Sequence, residues 1–353
     1  MLFRSGFGVE WILTITYQDS KRISGLSTDT KPTNVPSGNT FVYTDNGKRK
    51  WYDGSSWLPI DPATRGLFAT GLKPSGTFIS SIDYITIATT GNATNFGNLS
   101  SVRYGGSSTT SYTRGCFGGG NNASYVNQNV IDYVTIATTG NATNFGSLTV
   151  ARSQQGSGVT NLTRGVFGGT GSATTGNIAD YITIATTGNA TSFGTLTVNV
   201  TDRMGGVTDF TKGCFAGGDL YPNNYTSVID YITIATTGNA TNFGNLTSIR
   251  GFGDGVSNTT RGCFIGSSTS ILSVIDYITI ATTGNATSFG NLTQARYGVA
   301  GGVNSDVRGV FAGGNSGGYQ NTMDYITIMT TGNATSFGQL NNTVFIPSGC
   351  SGS

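Results

Sequence analysis

An all-β protein built as a closed ring of six four-stranded units, a six-bladed β-propeller, is predicted by two markers that recur in step. Asp-Tyr appears at Asp83, Asp132, Asp180, Asp230, Asp276 and Asp324, at spacings of 49, 48, 50, 46 and 48 residues. Arg/Lys-Gly-x-Phe starts at Arg65, Arg114, Arg164, Lys212, Arg261 and Arg308, once for each Asp-Tyr. A fixed period near ~50 residues marks units that bury their apolar faces against one another.

Each unit reads as four short strands. Strand B is Arg65-Gly-Leu-Phe68, ending in later copies in Gly-Gly, as at Gly118-Gly119 and Gly217-Gly218. Strand C, Ile82-Asp-Tyr-Ile-Thr-Ile-Ala88, is β-branched, aromatic and apolar on both faces, as a sheet sandwiched between sheets requires. Thr89-Thr-Gly-Asn92 is a turn in which Gly is expected to supply positive φ, and it leads into strand D, Ala93 to Leu99, with Phe96 and Leu99 as packing residues. Strand A is expected at Tyr104-Gly-Gly106, and a polar loop returns the chain to the next strand B.

Composition agrees with a folded but weakly charged molecule. Gly numbers 54 of 353 residues and charged side chains are only 10%, yet 36% apolar content with 16 Tyr and 19 Phe is too much for a disordered chain. A net charge of +2 without a Lys/Arg stripe offers no counterion-release force, so nucleic acid is not an expected partner. The longest apolar stretch near the N-terminus, Trp11-Ile12-Leu13, is too short for a signal core or a membrane span, so no signal peptide, transmembrane segment or membrane insertion is expected. Cys116, Cys214 and Cys263 share a repeat position with Leu67, Val166 and Val310 and read as small buried hydrophobes; with Cys350 they suggest neither disulfides nor metal ligands.

The repeat resembles the kelch repeat over residues 65 to 350: Gly-Gly after a hydrophobic strand, an aromatic opening strand C, Phe96, Phe145, Phe193, Phe243, Phe289 and Phe337 in strand D, and Arg103, Arg152, Arg250 and Arg296 seven residues after that Phe. Phe stands where the kelch pattern usually has Trp, and in the third copy Val200 takes the Arg position with Arg203 displaced. The near-verbatim Asp-Tyr-Ile-Thr-Ile-Ala-Thr-Thr-Gly-Asn-Ala-Thr unit also resembles proteins of marine tailed phages and related environmental viruses. That likeness implies a virion or tail-fibre component, on a particle or extracellular surface.

The first copy begins at strand B, and the chain ends in Val344-Phe-Ile346, aligned with Arg296-Tyr-Gly298, so the C-terminal strand is expected to complete the first blade and close the ring. Alternating strand direction puts A–B loops and C–D turns on one side, and B–C loops and D–A connections on the other. Residues 61–353 form the propeller. Residues 1–60 are an appendage of different composition, with a polar stretch from Ser20 to Ser37 and then Thr40 to Thr44, Lys50-Trp-Tyr52 and Ser56 to Pro59 reading as a three-stranded meander. So small a meander needs a docking partner, either other virion proteins or further copies of the chain. Pro32-Thr-Asn-Val-Pro36 within it is similar to segments of phage structural proteins.

Candidate chemistry is sparse. Histidine is absent and Glu10 is the only glutamate, which removes Ser-His and Cys-His nucleophiles and His metal sites, so no enzyme, metal or cofactor is expected. Asp202, Asp219 and Asp254 are the non-repeated carboxylates a polysaccharide-cleaving enzyme would have to pair. The Asp83 and Arg103 series read first as structural pairs; the alternative is that Arg103, Arg152, Arg250 and Arg296 ring the B–C mouth and hold an acidic sugar. Asn-Ala-Thr at Asn92 and its five equivalents reads as a turn residue before a glycosylation acceptor. The B–C loops break the monotony, with Tyr125, Tyr221, Tyr225 and Tyr319 among Asn, Ser and Gly, the composition of adaptable recognition loops. A non-catalytic module binding a host-surface glycan or protein is the expected function; a purely structural virion spacer and a glycan-cleaving enzyme are the alternatives.

Overall fold

The computed structural model describes residues 22–25, 40–43, 49–52, 57–60, 64–152, 157–169, 176–202, 204–220, 224–267 and 271–352. Two compact units divide between Pro62 and Ala63. The described residues form strands, turns and loops, with no helix among them.

The first unit holds one sheet in the order Arg22–Gly25, Thr40–Tyr43, Arg49–Tyr52, Trp57–Ile60. The last three strands are the antiparallel meander. Arg22–Gly25 adds a fourth strand, parallel to Thr40–Tyr43, inside the stretch that looked merely polar. A parallel neighbour needs a long connection, and the residues between these strands supply it. Pro32 to Pro36 and residues 1–20 lie outside the described residues.

The second unit is a six-bladed propeller of antiparallel four-stranded blades. Blade 1 orders its strands Ser348–Gly352 (A), Arg65–Ala69 (B), Ser81–Thr86 (C) and Thr94–Asn98 (D). Blades 2 and 3 open on strands A at Ser107–Thr110 and Ser157–Thr160, and blades 4, 5 and 6 at Gly205–Thr208, Gly251–Ser257 and Ala300–Asn304. Strand A of each blade lies against strand A of the next, so these strands line the axis in a closed ring.

The C-terminal strand does close the ring, but through different residues from those expected. Strand A is Ser348–Gly352, with Cys350 opposite Leu67, while Val344 is the last residue of blade 6 strand D and Phe345 bridges to Leu72. The same offset holds in blade 2, where strand A begins at Ser107 and not Tyr104. Gly105 explains it: at φ +70° it turns the chain before the strand can start.

Core residues sit between blades. Leu67, Ile82, Phe96 and Leu99 of blade 1 pack with Phe117, Val134 and Ile136 of blade 2, and equivalent clusters fill the other seams. The four cysteines are buried and free, and burial pushes the Cys116 and Cys263 thiols up to about 12.

The constant residues are inter-blade fasteners. Arg65 lies over the Tyr84 ring at 4.6 Å and donates to the carbonyls of Ile136 and Ala137 in the next blade. Arg308 makes the same grip on Ile87 and Ala88 across the closing seam. Asn141 accepts the Asn98 N–H of the preceding blade, and Asn92 accepts that of Gln339. The turn glycines Gly91, Gly140, Gly188 and Gly238 do not take the positive φ expected of them, while Gly284 and Gly332 do, at +157°. The glycine requirement lies at Gly97 instead, where an added Cβ would stand 2.1 Å from the Gly140 carbonyl oxygen of the neighbouring turn.

Candidate functional site

The arginines considered for an acidic ligand lie within the blade seams. Arg103, Arg152, Arg250 and Arg296 are no more than 1% exposed. Each guanidinium reaches the strand C Asp of the following blade: Arg103 to Asp132 at 3.1 Å, Arg152 to Asp180 at 2.6 Å, Arg250 to Asp276 at 2.8 Å and Arg296 to Asp324 at 3.0 Å. Burial lowers the pKa of each guanidinium, and the partner carboxylate opposes that shift. The carboxylates are also capped: Asp180 accepts from the Thr149 N–H and hydroxyl, and Asp276 from those of Thr247.

The seam between blades 6 and 1 is different. Val344 stands at the arginine position, and Asp83 accepts instead from the backbone and side-chain N–H groups of Asn341. Burial raises the Asp83 carboxyl, and the Asn341 hydrogen bonds only partly offset it. Arg203 lies outside the described residues, and Asp230 is capped by Thr197.

The B–C side carries an aromatic platform. In one group Phe78 stacks on Tyr104, with ring centroids 4.9 Å apart, and Tyr125 meets Phe78 edge-on at 5.2 Å. In the second, Tyr225, Phe252, Tyr297, Phe345 and Tyr319 follow ring to ring, ending with Tyr319 stacked on Phe345 at 5.2 Å and 15°. Leu72 joins the groups, pairing with both Phe78 and Phe345. Blades 1, 2, 4, 5 and 6 thus contribute through their loops or connections.

Tyr125 is 61% exposed, and Val102, Val126, Ile249 and Ile271 are the other large exposed hydrophobics among the described residues of this side. Tyr125, Phe252 and Ile346 have left-handed backbones, at φ +59°, +52° and +52°. Aromatic and β-branched residues avoid that region unless their surroundings impose it. The surroundings here are tight: Asn122 accepts the Tyr125 N–H on its carbonyl and those of Ser124 and Val126 on its side chain. In the other loop Asn315 accepts the Gly317 N–H and pairs with Tyr319. Asp219–Leu220 and Asn224–Tyr225 form a hairpin that pairs further with Val200–Asp202.

Of the four tyrosines read as binding residues, the structure brings Tyr125, Tyr225 and Tyr319 onto this platform, and Tyr221 lies outside the described residues. Sequence reading missed Phe78, Tyr104, Phe252, Tyr297 and Phe345. A signal for three of them was present, since Tyr104, Tyr297 and Phe345 all stand eight residues after the strand D Phe.

Asp254 lies midway along blade 5 strand A. Burial raises its carboxyl to about 7, opposed by hydrogen bonds from the Gly301 and Gly255 N–H groups. Asp219 packs beside Gly251, and the Asp202 side chain lies outside the described residues. A groove of about 340 Å³ opens between blades 2 and 3, lined by Phe145, Tyr181, Asn189 and neighbours that recur in every copy.

Fold and surface together define a six-bladed β-propeller presenting one aromatic face. No protein-family model matches the chain, and no curated protein matches it.

Proposed function

We propose that the chain is a non-catalytic recognition module whose B–C face binds a glycan or protein on a host surface. The observation that carries this reading is the aromatic platform: rings contributed by five blades, held by loops whose own hydrogen bonds fix them before any ligand arrives. Rigid aromatic anchors lose little conformational entropy on binding and dominate recognition energy. The likeness of the repeat unit to tailed-phage repeats supports placement on a viral particle, with residues 1–60 attaching to other virion proteins.

The test is capture of cells by the immobilised full chain across a panel of marine bacterial isolates. Selective capture that Tyr125→Ala with Tyr319→Ala abolishes is the expected result. Capture unaffected by both changes would refute the assignment to this face.

A further inference from the structure

We infer that the platform takes a neutral oligosaccharide, with one sugar ring stacking on Tyr319 beside Tyr125 and Tyr297, and that it discriminates against acidic sugars. This rests on the reading of the B–C face as the binding surface and narrows its ligand class.

Three observations carry it. The first is electrostatic: the arginines nearest the platform, Arg103, Arg250 and Arg296, are buried and paired to carboxylates, so they present no free positive charge. Among the described residues of this side the remaining ionisable side chains outside those pairs include Lys73 and Asp219, neither fully exposed. A uronate or sialate would lose its hydration with only the part-exposed Lys73 ammonium, and no described guanidinium, to pair with in return.

The second is convergence. Tyr319 is raised above the ordinary tyrosine value by burial, then by the neighbouring phenols of Tyr297 and Tyr125. Tyr297 and Tyr319 both meet the Phe345 ring at 5.2 Å, one edge-on and one stacked, and the Asn315 amide donates to the Tyr297 hydroxyl at 3.1 Å. Tyr319 lies parallel on Phe345, which covers one face of its ring. An aromatic face bordered by neutral donors and acceptors matches a pyranose, whose axial C–H groups form an apolar face and whose hydroxyls radiate from its edge.

The third is rigidity. Loop amides are spent inside their own loops: Asn121 donates to the Tyr125 carbonyl, and Gln320 to that of Gly318. A preformed surface suits a flexible glycan, since only the ligand must be ordered.

The experiment titrates the full chain against immobilised dextran, mannan and galactan, and against alginate, polysialic acid and heparin, at 50 and 500 mM NaCl. Binding of at least one neutral polysaccharide is expected, with Kd changing less than about twofold between the salts, because no counterions are released. Tyr319→Ala should weaken it about tenfold or more while leaving the melting temperature near the parent's. Binding confined to the acidic probes, or falling steeply with salt, overturns the inference. If no neutral probe binds yet cell capture persists and depends on Tyr319, the neutral-glycan inference falls and the face assignment stands. If cell capture ignores Tyr125 and Tyr319, both fall.

Discussion

On the A–B side every blade presents the same arrangement: a strand B Arg or Lys over the strand C Tyr, reaching the next blade's carbonyls, and a turn Asn docked on the preceding strand D. On the B–C side the rings differ from blade to blade, with Tyr125 in one loop, Tyr319 in another, and Ser153, Thr201 and Gly251 at the position where three copies place Tyr104, Tyr297 and Phe345. Identity on one side follows from its task, since six seams must close alike. The other side makes few contacts that all six seams require, so its composition is free to serve a ligand.

The largest expected effect comes from cutting the ring itself. Removing residues 343–353 deletes strand A of blade 1 and the buried Val344 and Ile346 side chains, each worth about 1.5–3 kcal/mol when fully buried. A sharply lowered melting temperature, or loss of soluble protein, should follow. An undiminished melting temperature would rule out this closure.

Next come the fasteners, which differ in depth. Arg250→Ala leaves Asp276 buried without its partner, which should cost about 3–5 kcal/mol in denaturant unfolding. Arg261→Ala, in blade 5 alongside Asp276, removes a part-exposed contact over Tyr277 and a bond to the Ile328 carbonyl, with an expected cost of about 1 kcal/mol. Equal losses would mean that the buried pairs do not hold the seams more strongly than the outer grips.

How much of this was legible in the sequence divides along the same line. Period, blade number and closure by the last strand were readable because Asp83, Arg65 and their equivalents recur for a reason common to every seam. The start of strand A was misplaced because Tyr104-Gly105-Gly106 looks like a strand, while the turn at Gly105 is visible only in the backbone. The platform was half legible: Tyr125, Tyr225 and Tyr319 stood out in irregular loops. Phe78 and Phe252 did not, because only folding brings them into one cluster with Leu72 and Phe345. The strand Arg22–Gly25 was hidden because its pairing depends on a partner far along the chain.

A smaller effect separates the axial strands from both faces. Asp254, with a folded value of about 7 against an ordinary 3.8, binds a proton more readily folded than unfolded. Its contribution to stability is fully present below about pH 4 and is lost as pH rises through about 7. Stability should therefore decline over that interval on its account, and Asp254→Asn should flatten the decline. An unchanged pH profile in that variant would show that the Gly301 and Gly255 N–H groups stabilise the carboxylate enough to cancel its burial.

The smallest effect on stability should accompany the largest on function, in a comparison of alanine variants on the two sides. Replacing Tyr125, Tyr221, Tyr225 and Tyr319 together should abolish capture of the natural surface while the chain still folds cooperatively. Replacing Ser111, Tyr112, Asn161 and Asn258 of the A–B loops should leave capture intact. Capture that survives the first set and disappears with the second would place the recognition surface on the opposite side of the propeller and contradict this account.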